Sequence, residues 1–274
     1  MELALLKWIQ SFSSPFGDGM FQLITMLGEQ WAVILVLAIS YWAFDKKTGE
    51  ELAFTLLVSG LSNNILEGFF RFERPIGIDG IRTLRAHTAT GYSFPSGHSE
   101  NAATLYFFPA RRGGGWRWAA AAVVSLLVGL SRLYLGVHYP KDVAAGLALG
   151  IAAVFVCPIL WNRFDHRKML AIMTGVSFLL TIALGQQDLY KAFGLLVGFW
   201  AGIEFERRFV SFSNQVSTGK KILRVLLGLF LLGGAQFLLG LLFPPLFWWD
   251  AARYALLVFA ALGLYPMIFR KVGF

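Results

Sequence analysis

Ser131-Arg132-Leu133-Tyr134-Leu135-Gly136-Val137-His138-Tyr139-Pro140-Lys141-Asp142 places an arginine, a histidine and an aspartate where one long apolar run ends and the next begins. Charged or titratable groups at the end of a membrane helix must reach water, pair with one another or serve a function. Arg132 offers a planar, permanently charged fork suited to a pair of phosphate oxygens. His138 offers a nitrogen nucleophile or a proton carrier, and Asp142, four residues on, can hold its imidazole in one tautomer. Pro140 suits the first turn of a new helix, which puts Asp142 in that turn and His138 just ahead of it. The plainer alternative is that Asp142 complements the helix dipole while Arg132 and His138 snorkel to the headgroups.

Upstream, Gly91-Tyr92-Ser93-Phe94-Pro95-Ser96-Gly97-His98 leads into another apolar run, so Ser96, Gly97 and His98 are expected at a helix N-terminus. There the free backbone N–H groups and the positive end of the dipole form an anion site. Gly97 allows close backbone approach, Ser96 adds a hydroxyl donor, and His98 can deliver a proton to a leaving oxygen. An ordinary Pro-Ser-Gly turn with a capping serine is the alternative. A third piece, Arg71-Phe72-Glu73-Arg74-Pro75, closes a preceding apolar run and supplies further cationic forks.

Together the three pieces resemble the type 2 phosphatidic acid phosphatase (PAP2) superfamily, in its bacterial integral-membrane lipid phosphatase branch. The signature has the form K-x6-R-P, then P-S-G-H, then S-R-x5-H-x3-D. The second and third motifs match residue for residue, as Pro95 to His98 and as Ser131, Arg132, His138 and Asp142. The first matches in Arg74 and Pro75, but Glu67 stands where the family usually has lysine. Lys141, Arg71 or Arg85 is then left to replace the missing cation. The resemblance covers about the first 165 residues, and ordered motifs of this length rarely match by chance.

The rest of the chain fits a membrane protein. Of 274 residues, 57% are hydrophobic and only 15% charged, with mean hydropathy +0.61. That balance excludes an ordinary soluble domain. The formal charge of +8 does not imply nucleic acid, since there is no soluble basic domain to bind it. Cys157, the one cysteine, excludes an intrachain disulfide or a cysteine metal site. Residues 1–16 read as an interfacial amphipathic helix. Nine spans follow, at about 20–44, 50–70, 96–110, 117–136, 140–161, 169–184, 189–204, 222–243 and 252–269, on the rule that roughly 20 apolar residues cross a bilayer. The expected architecture is therefore an all-α polytopic membrane helix bundle. A PAP2-like catalytic core occupies residues 1–168, and C-terminal membrane helices of unassigned role occupy 169–274.

Most of the 24 Lys and Arg residues fall in one set of connections, including Lys46, Lys47, Arg111, Arg112, Arg163, Arg167, Arg207, Arg208, Lys220, Lys221, Arg270 and Lys271. The positive-inside rule makes that set cytoplasmic and puts all three motifs on the outer face of the plasma membrane. Trp248 and Trp249, beside Pro244 and Pro245, suit an outer aromatic belt. Ser62, Asn63, Asn64 and Glu67 form a polar stripe on the second span; Asn64 and Glu67, three apart, share a helix face and are candidates for supporting the site, as is Lys141. His87 reads as a solvated loop residue and His166 as an exposed one.

The resemblance implies roles. Arg74, Arg132, the Ser96 hydroxyl and the Gly97 and His98 amides would cradle the phosphoryl oxygens. His138 would attack phosphorus to give a phosphohistidine, oriented by Asp142. His98 would protonate the departing lipid oxygen and then activate water. No Asp/Glu cluster suited to Mg²⁺ accompanies the motifs, so no metal or other cofactor is expected. The substrate would be a phosphate or diphosphate on a lipid that stays in the bilayer: undecaprenyl diphosphate by preference, or phosphatidylglycerol phosphate or phosphatidic acid. Two alternatives are a phosphotransferase to a second lipid or sugar, and a lipid-phosphate binding or transport protein.

Overall fold

The computed structural model describes residues 1–244 and 246–272, with side chains through Phe269. Pro245 and the side chains of Arg270 and Lys271, which entered the topology argument, lie outside the described residues. The regular structure among the described residues is entirely helical, as expected. It comprises α1 (Glu2–Ser11), α2 (Pro15–Thr25), α3 (Gln30–Ala38), α4 (Lys46–Phe70), α5 (Gly97–Gly113), α6 (Trp116–Tyr134), α7 (Pro140–Arg163), α8 (His166–Leu184), α9 (Gln187–Phe205), α10 (Thr218–Leu242), α11 (Phe247–Phe259) and α12 (Tyr265–Val272).

The expectation of nine spans is not confirmed. Five helical stretches among the described residues are long and apolar enough to cross a bilayer: Trp116–Tyr134, Pro140–Arg163, His166–Leu184, Thr218–Leu242 and Phe247–Phe269. A sixth exists if Pro15–Gly28 and Gln30–Phe44, bent by 47° at their junction, form one span. The others fall short for physical reasons. Helix α4 carries Lys46, Lys47, Glu50, Glu51 and Glu67, α5 opens with a polar turn and ends with two arginines, and α9 carries Asp188, Lys191 and Glu204. Charges at those positions cost free energy in hydrocarbon unless protein or water surrounds them.

The chain divides into two compact units: Met1–Val33 with Val58–Cys157, and Ile34–Leu57 with Pro158–Phe274. This differs from a cut at residue 168, because the first half of α4 groups with the C-terminal helices. In the first unit, Ser14 caps α2 by accepting from the Gly17 N–H at 3.1 Å, and Pro15 occupies its first turn. Helix α1 is fastened as well as amphipathic. Leu6 is fully buried, and the Gln10 amide donates to the carbonyls of Arg82 (2.7 Å) and Tyr134 (2.9 Å) while accepting from the Arg82 N–H (2.9 Å). Arg82 in turn grips Asp18 of α2 through both guanidinium nitrogens. The 71–96 connection is thereby tied to α1, α2 and α6.

The turn between α6 and α7 depends on Gly136, whose φ of +68° and closeness to the Arg82 carbonyl leave no room for a Cβ. Pro140 then starts α7, which packs backbone to backbone against α5. A Cβ on Gly146 would lie 2.4 Å from the Ser96 carbonyl oxygen, and one on Gly150 would lie 2.5 Å from that of Glu100. This approach lets the Ser96 N–H donate to the Asp142 carbonyl at 2.9 Å, bringing the starts of α5 and α7 together.

In the second unit, Tyr41, Trp42, Phe212, Tyr265 and Phe269 form an aromatic core. Two of its buried carboxylates are paired: Lys46 donates to both Glu206 oxygens at 3.0 Å, and Arg207 donates to Glu50 at 2.5 Å.

Candidate active site

Four segments of the first unit meet at the site: the end of α4, the 71–96 connection, the start of α5, and the α6–α7 turn. His138, on that turn, is 1% exposed. Its Nδ1 lies 2.8 Å from the Ser93 carbonyl oxygen. A carbonyl only accepts, so Nδ1 carries the hydrogen and Nε2 keeps its lone pair. That lone pair faces the Arg74 guanidinium, whose Nη1 is 2.8 Å away. Burial, and then the charges of Arg74 and Arg132, hold the His138 imidazole well below its ordinary pKa of 6.5. The ring is therefore neutral at neutral pH, and the lone pair needed for attack accepts a hydrogen bond from Arg74, a donor that an entering phosphoryl oxygen can take over.

Asp142 lies beside this ring without making its main hydrogen bond. Its Oδ2 is 3.5 Å from His138 Nδ1, while accepting from the Ser93 hydroxyl at 2.5 Å and from the Tyr139 N–H at 2.7 Å. Asp142 thus fixes both segments that flank the imidazole, and the Ser93 carbonyl takes the N–H directly. Ser93 was not among the residues singled out from sequence. A backbone acceptor leaves no signal there, although its hydroxyl lies just ahead of the Pro95–His98 motif.

Arg132, in the last turn of α6, is completely buried. Its Nη1 donates to the hydroxyls of Thr25 (2.9 Å) and Thr88 (3.3 Å), while Nε and Nη2 have no hydrogen-bond partner. A buried cation with unused donors fits an anion that completes the set. Arg74 is anchored by its Nε to the Gly91 carbonyl (3.2 Å) and by its Nη2 to the Thr90 carbonyl (2.6 Å). Ser96 is fully buried and receives the Ser99 hydroxyl at 3.0 Å. Gly97 opens α5 with free space where a side chain would be; the nearest atom to a Cβ there is Asn63 Oδ1, at 3.8 Å. His98 Nε2 is buried without a hydrogen-bond partner, and its ring lies in the field of Arg132, His138, Arg74 and Arg85.

The supporting residues expected from sequence fare unevenly. Glu67 is buried and lies at the site, with Oε1 3.8 Å from Arg74 Nη2. Asn63, four residues earlier on α4, is the residue that faces Gly97; Asn64, three before Glu67, is only half-buried. The spacing of one helical turn, i to i+4, was the available signal for Asn63. Lys141 turns away to Glu2 (3.4 Å) and over the Phe72 ring (4.8 Å), and Arg71 is exposed. His87 is exposed, whereas His166 is half-buried and stacks on Trp161 at 3.9 Å.

The chain is similar in sequence and fold to known proteins. Residues 50–165 match the family model described as PAP2 superfamily, and residues 190–274 match that described as PAP2 superfamily phosphatase, transmembrane extension. A lipid A 4'-phosphatase from Porphyromonas gingivalis is 31% identical over 55% of this chain and 69% of its own length. A putative undecaprenyl-diphosphatase, YbjG, from Escherichia coli is 29% identical over 56% of this chain and 80% of its own. Among solved structures, the crystal structure of Aquifex aeolicus LpxE superposes with a TM-score of 0.52 at 26% identity. It covers 60% of this chain and 95% of that one.

Proposed function

This chain belongs to the PAP2 superfamily and is one of its membrane-bound lipid phosphatases, and from that premise we propose how it acts and on what. The substrate phosphoryl group enters between Arg74, Arg132 and the start of α5. Those cations and the Gly97 and His98 amides neutralise the charge spread over its oxygens. Bound phosphate offsets the arginine charges that, with burial, otherwise hold the His98 imidazole well below its ordinary pKa of 6.5, so His98 is protonated in the complex. His138 Nε2 then attacks phosphorus, a P–N bond forms, and the bond to the lipid oxygen breaks as His98 donates its proton to it. His98, now neutral, takes a proton from water; the hydroxide attacks phosphorus, the P–N bond breaks to return the neutral His138 ring, and phosphate leaves. Asp142 and Ser93 keep the ring in the tautomer that this sequence needs. The observation that carries the reading is the His138 ring itself: Nδ1 on the Ser93 carbonyl, and Nε2 with its lone pair turned toward the Arg74 guanidinium.

The catalytic part is residues 1–168, which contain every group given a role. The substrate is a phosphomonoester or diphosphate on a lipid carrier. The outer-face orientation argued from the basic connections, together with relatives named for lipid A and undecaprenyl diphosphate, supports an extracytoplasmic site in the plasma membrane. Undecaprenyl diphosphate remains the preferred substrate on that orientation, with glycolipid and glycerolipid phosphates as competitors.

The test is phosphate release by purified protein across a panel of lipid phosphates and diphosphates, with His138→Ala as the blank. Release is expected without any added acceptor, and the variant is expected to be slower by on the order of 10⁴-fold while remaining folded. Equal release by His138→Ala would remove His138 as nucleophile. Dependence on an added lipid or sugar would make the protein a phosphotransferase.

A further inference from the structure

Beside the site lies one more arginine than the motifs account for, and it is half-buried. Arg85 precedes the turn Ala86–Thr88 in the 71–96 connection and adopts a left-handed backbone conformation, φ +54°. That conformation is unfavourable for a residue with a side chain, so the surrounding contacts must hold it. Its Nη2 donates to Glu29 Oε1 at 2.6 Å, and its Nε is buried without a hydrogen-bond partner.

Three contacts bring the Arg85 backbone and the segment of its partner Glu29 up against Arg132 and the start of α5. The Thr88 hydroxyl accepts from Arg132 Nη1 at 3.3 Å and donates to the Arg85 carbonyl at 2.9 Å, joining the two arginines through one side chain. Gly28, just before Glu29, is pressed against the first turn of α5, where a Cβ would lie 2.6 Å from the His98 carbonyl oxygen. Asn101 of that helix also donates to the Gly28 carbonyl at 3.4 Å. The charge of Arg85 accordingly acts on both His98 and Arg132. Of the three cations left to replace the family lysine, Lys141 lies over Phe72 and is about half exposed beside Glu2, and Arg71 is exposed, whereas Arg85, though paired with Glu29, keeps a buried Nε unused. Meanwhile Glu67 places a carboxylate beside Arg74, where a second cation would have served.

We propose that Arg85 is the phosphate-binding cation that position 67 fails to supply, held beside Arg132 by Thr88 and Glu29. The inference rests on the phosphatase reading. It adds that this chain has moved one of its phosphate contacts from α4 to the 71–96 connection.

The experiment is binding of inorganic phosphate to the full-length protein in detergent, followed by thermal shift, alongside steady-state hydrolysis. Arg85→Gln is expected to weaken phosphate binding about tenfold, equivalent to about 1.4 kcal/mol, and to raise KM more than it lowers kcat. Adding Glu67→Lys to Arg85→Gln restores a cation and is expected to bring binding back to within about threefold of wild type. Arg85→Lys should fall between wild type and Arg85→Gln. Unchanged phosphate affinity in Arg85→Gln, or a double variant that recovers nothing, would overturn the assignment. A loss of ligand-free thermal stability with unchanged affinity would make Arg85 a structural tether and overturn it too. Wild type that neither binds nor releases phosphate would instead remove the phosphatase reading on which the assignment depends.

Discussion

Among the described residues two arginines are almost completely buried, Arg132 and Arg224, one in each compact unit, and they are treated differently. Arg224 of the second unit donates through Nη1 to the carbonyls of Ser213 (2.8 Å) and Trp42 (3.3 Å), and its guanidinium lies 4.3 Å from the Phe269 ring centroid. Carbonyl dipoles and an aromatic face supply most of what a desolvated cation requires, leaving its Nε as the nitrogen without a hydrogen-bond partner. Arg132 of the first unit has two neutral hydroxyls, two unbonded nitrogens, and the repelling charges of Arg74 and Arg85, set against the Glu29 carboxylate. Burying a cation costs several kcal/mol, and in Arg132 the fold leaves much of that cost uncompensated. The contrast separates a cation that braces the structure from one that awaits an anion.

That distinction can be broken by one pair of substitutions. Arg132→Met should reduce phosphate release by about 10²–10³-fold, the cost of losing one charge-stabilising donor at a transition state. Its ligand-free melting temperature should hold or rise, because like-charge repulsion is relieved. Arg224→Met should do the reverse, lowering stability by about 1–3 kcal/mol through two stranded carbonyls while the folded fraction keeps its turnover. If Arg132→Met melts early and Arg224→Met loses turnover, the two residues have been assigned the wrong way round.

A smaller effect tests what holds His138. With the Ser93 carbonyl bonded to Nδ1 at 2.8 Å and Asp142 Oδ2 only 3.5 Å away, Asp142→Asn should leave the tautomer intact. What it removes is the negative charge beside an imidazole that becomes cationic on attack, and the loss in kcat should be about 10–100-fold. A loss as large as that of His138→Ala would make Asp142 the sole orienting group.

How much of this was legible in sequence follows from the same chemistry. Pro95 to His98 and Ser131 to Asp142 could be read because a helix start and a helix turn each bring several functional groups together within a few residues. All-helical membrane architecture was legible because hydropathy is additive along a helix. The span count was not, since α4, α5 and α9 carry charges that only their surroundings can excuse. Register also misled: Asn64 was favoured over Asn63, though the latter is the one that faces Gly97. Thr25, Thr88 and Glu29 could not have been found, because they meet the site only through tertiary contacts between distant segments. Ser93 acts mainly through its backbone, which every residue possesses.

The smallest expected effect comes from protonation. Burial and the neighbouring guanidinium charges push the pKa of His138 in the folded protein well below 6.5, so the unfolded chain takes up this proton first as pH falls. Between the two pKa values the unfolded state binds more protons, and stability declines with acidification by up to about 1.4 kcal/mol per pH unit. Above about pH 6.5 neither state binds the proton, and this group adds no slope. The difference in melting behaviour between wild type and His138→Gln isolates the contribution: wild type should lose stability below pH 6.5 more steeply than the variant. Inorganic phosphate should shrink that difference, because an anion between Arg74 and Arg132 offsets the charges that disfavour the imidazolium. Parallel curves for the two proteins would mean that His138 is protonated as readily in the fold as in water, and that the neutral nucleophile is not preformed.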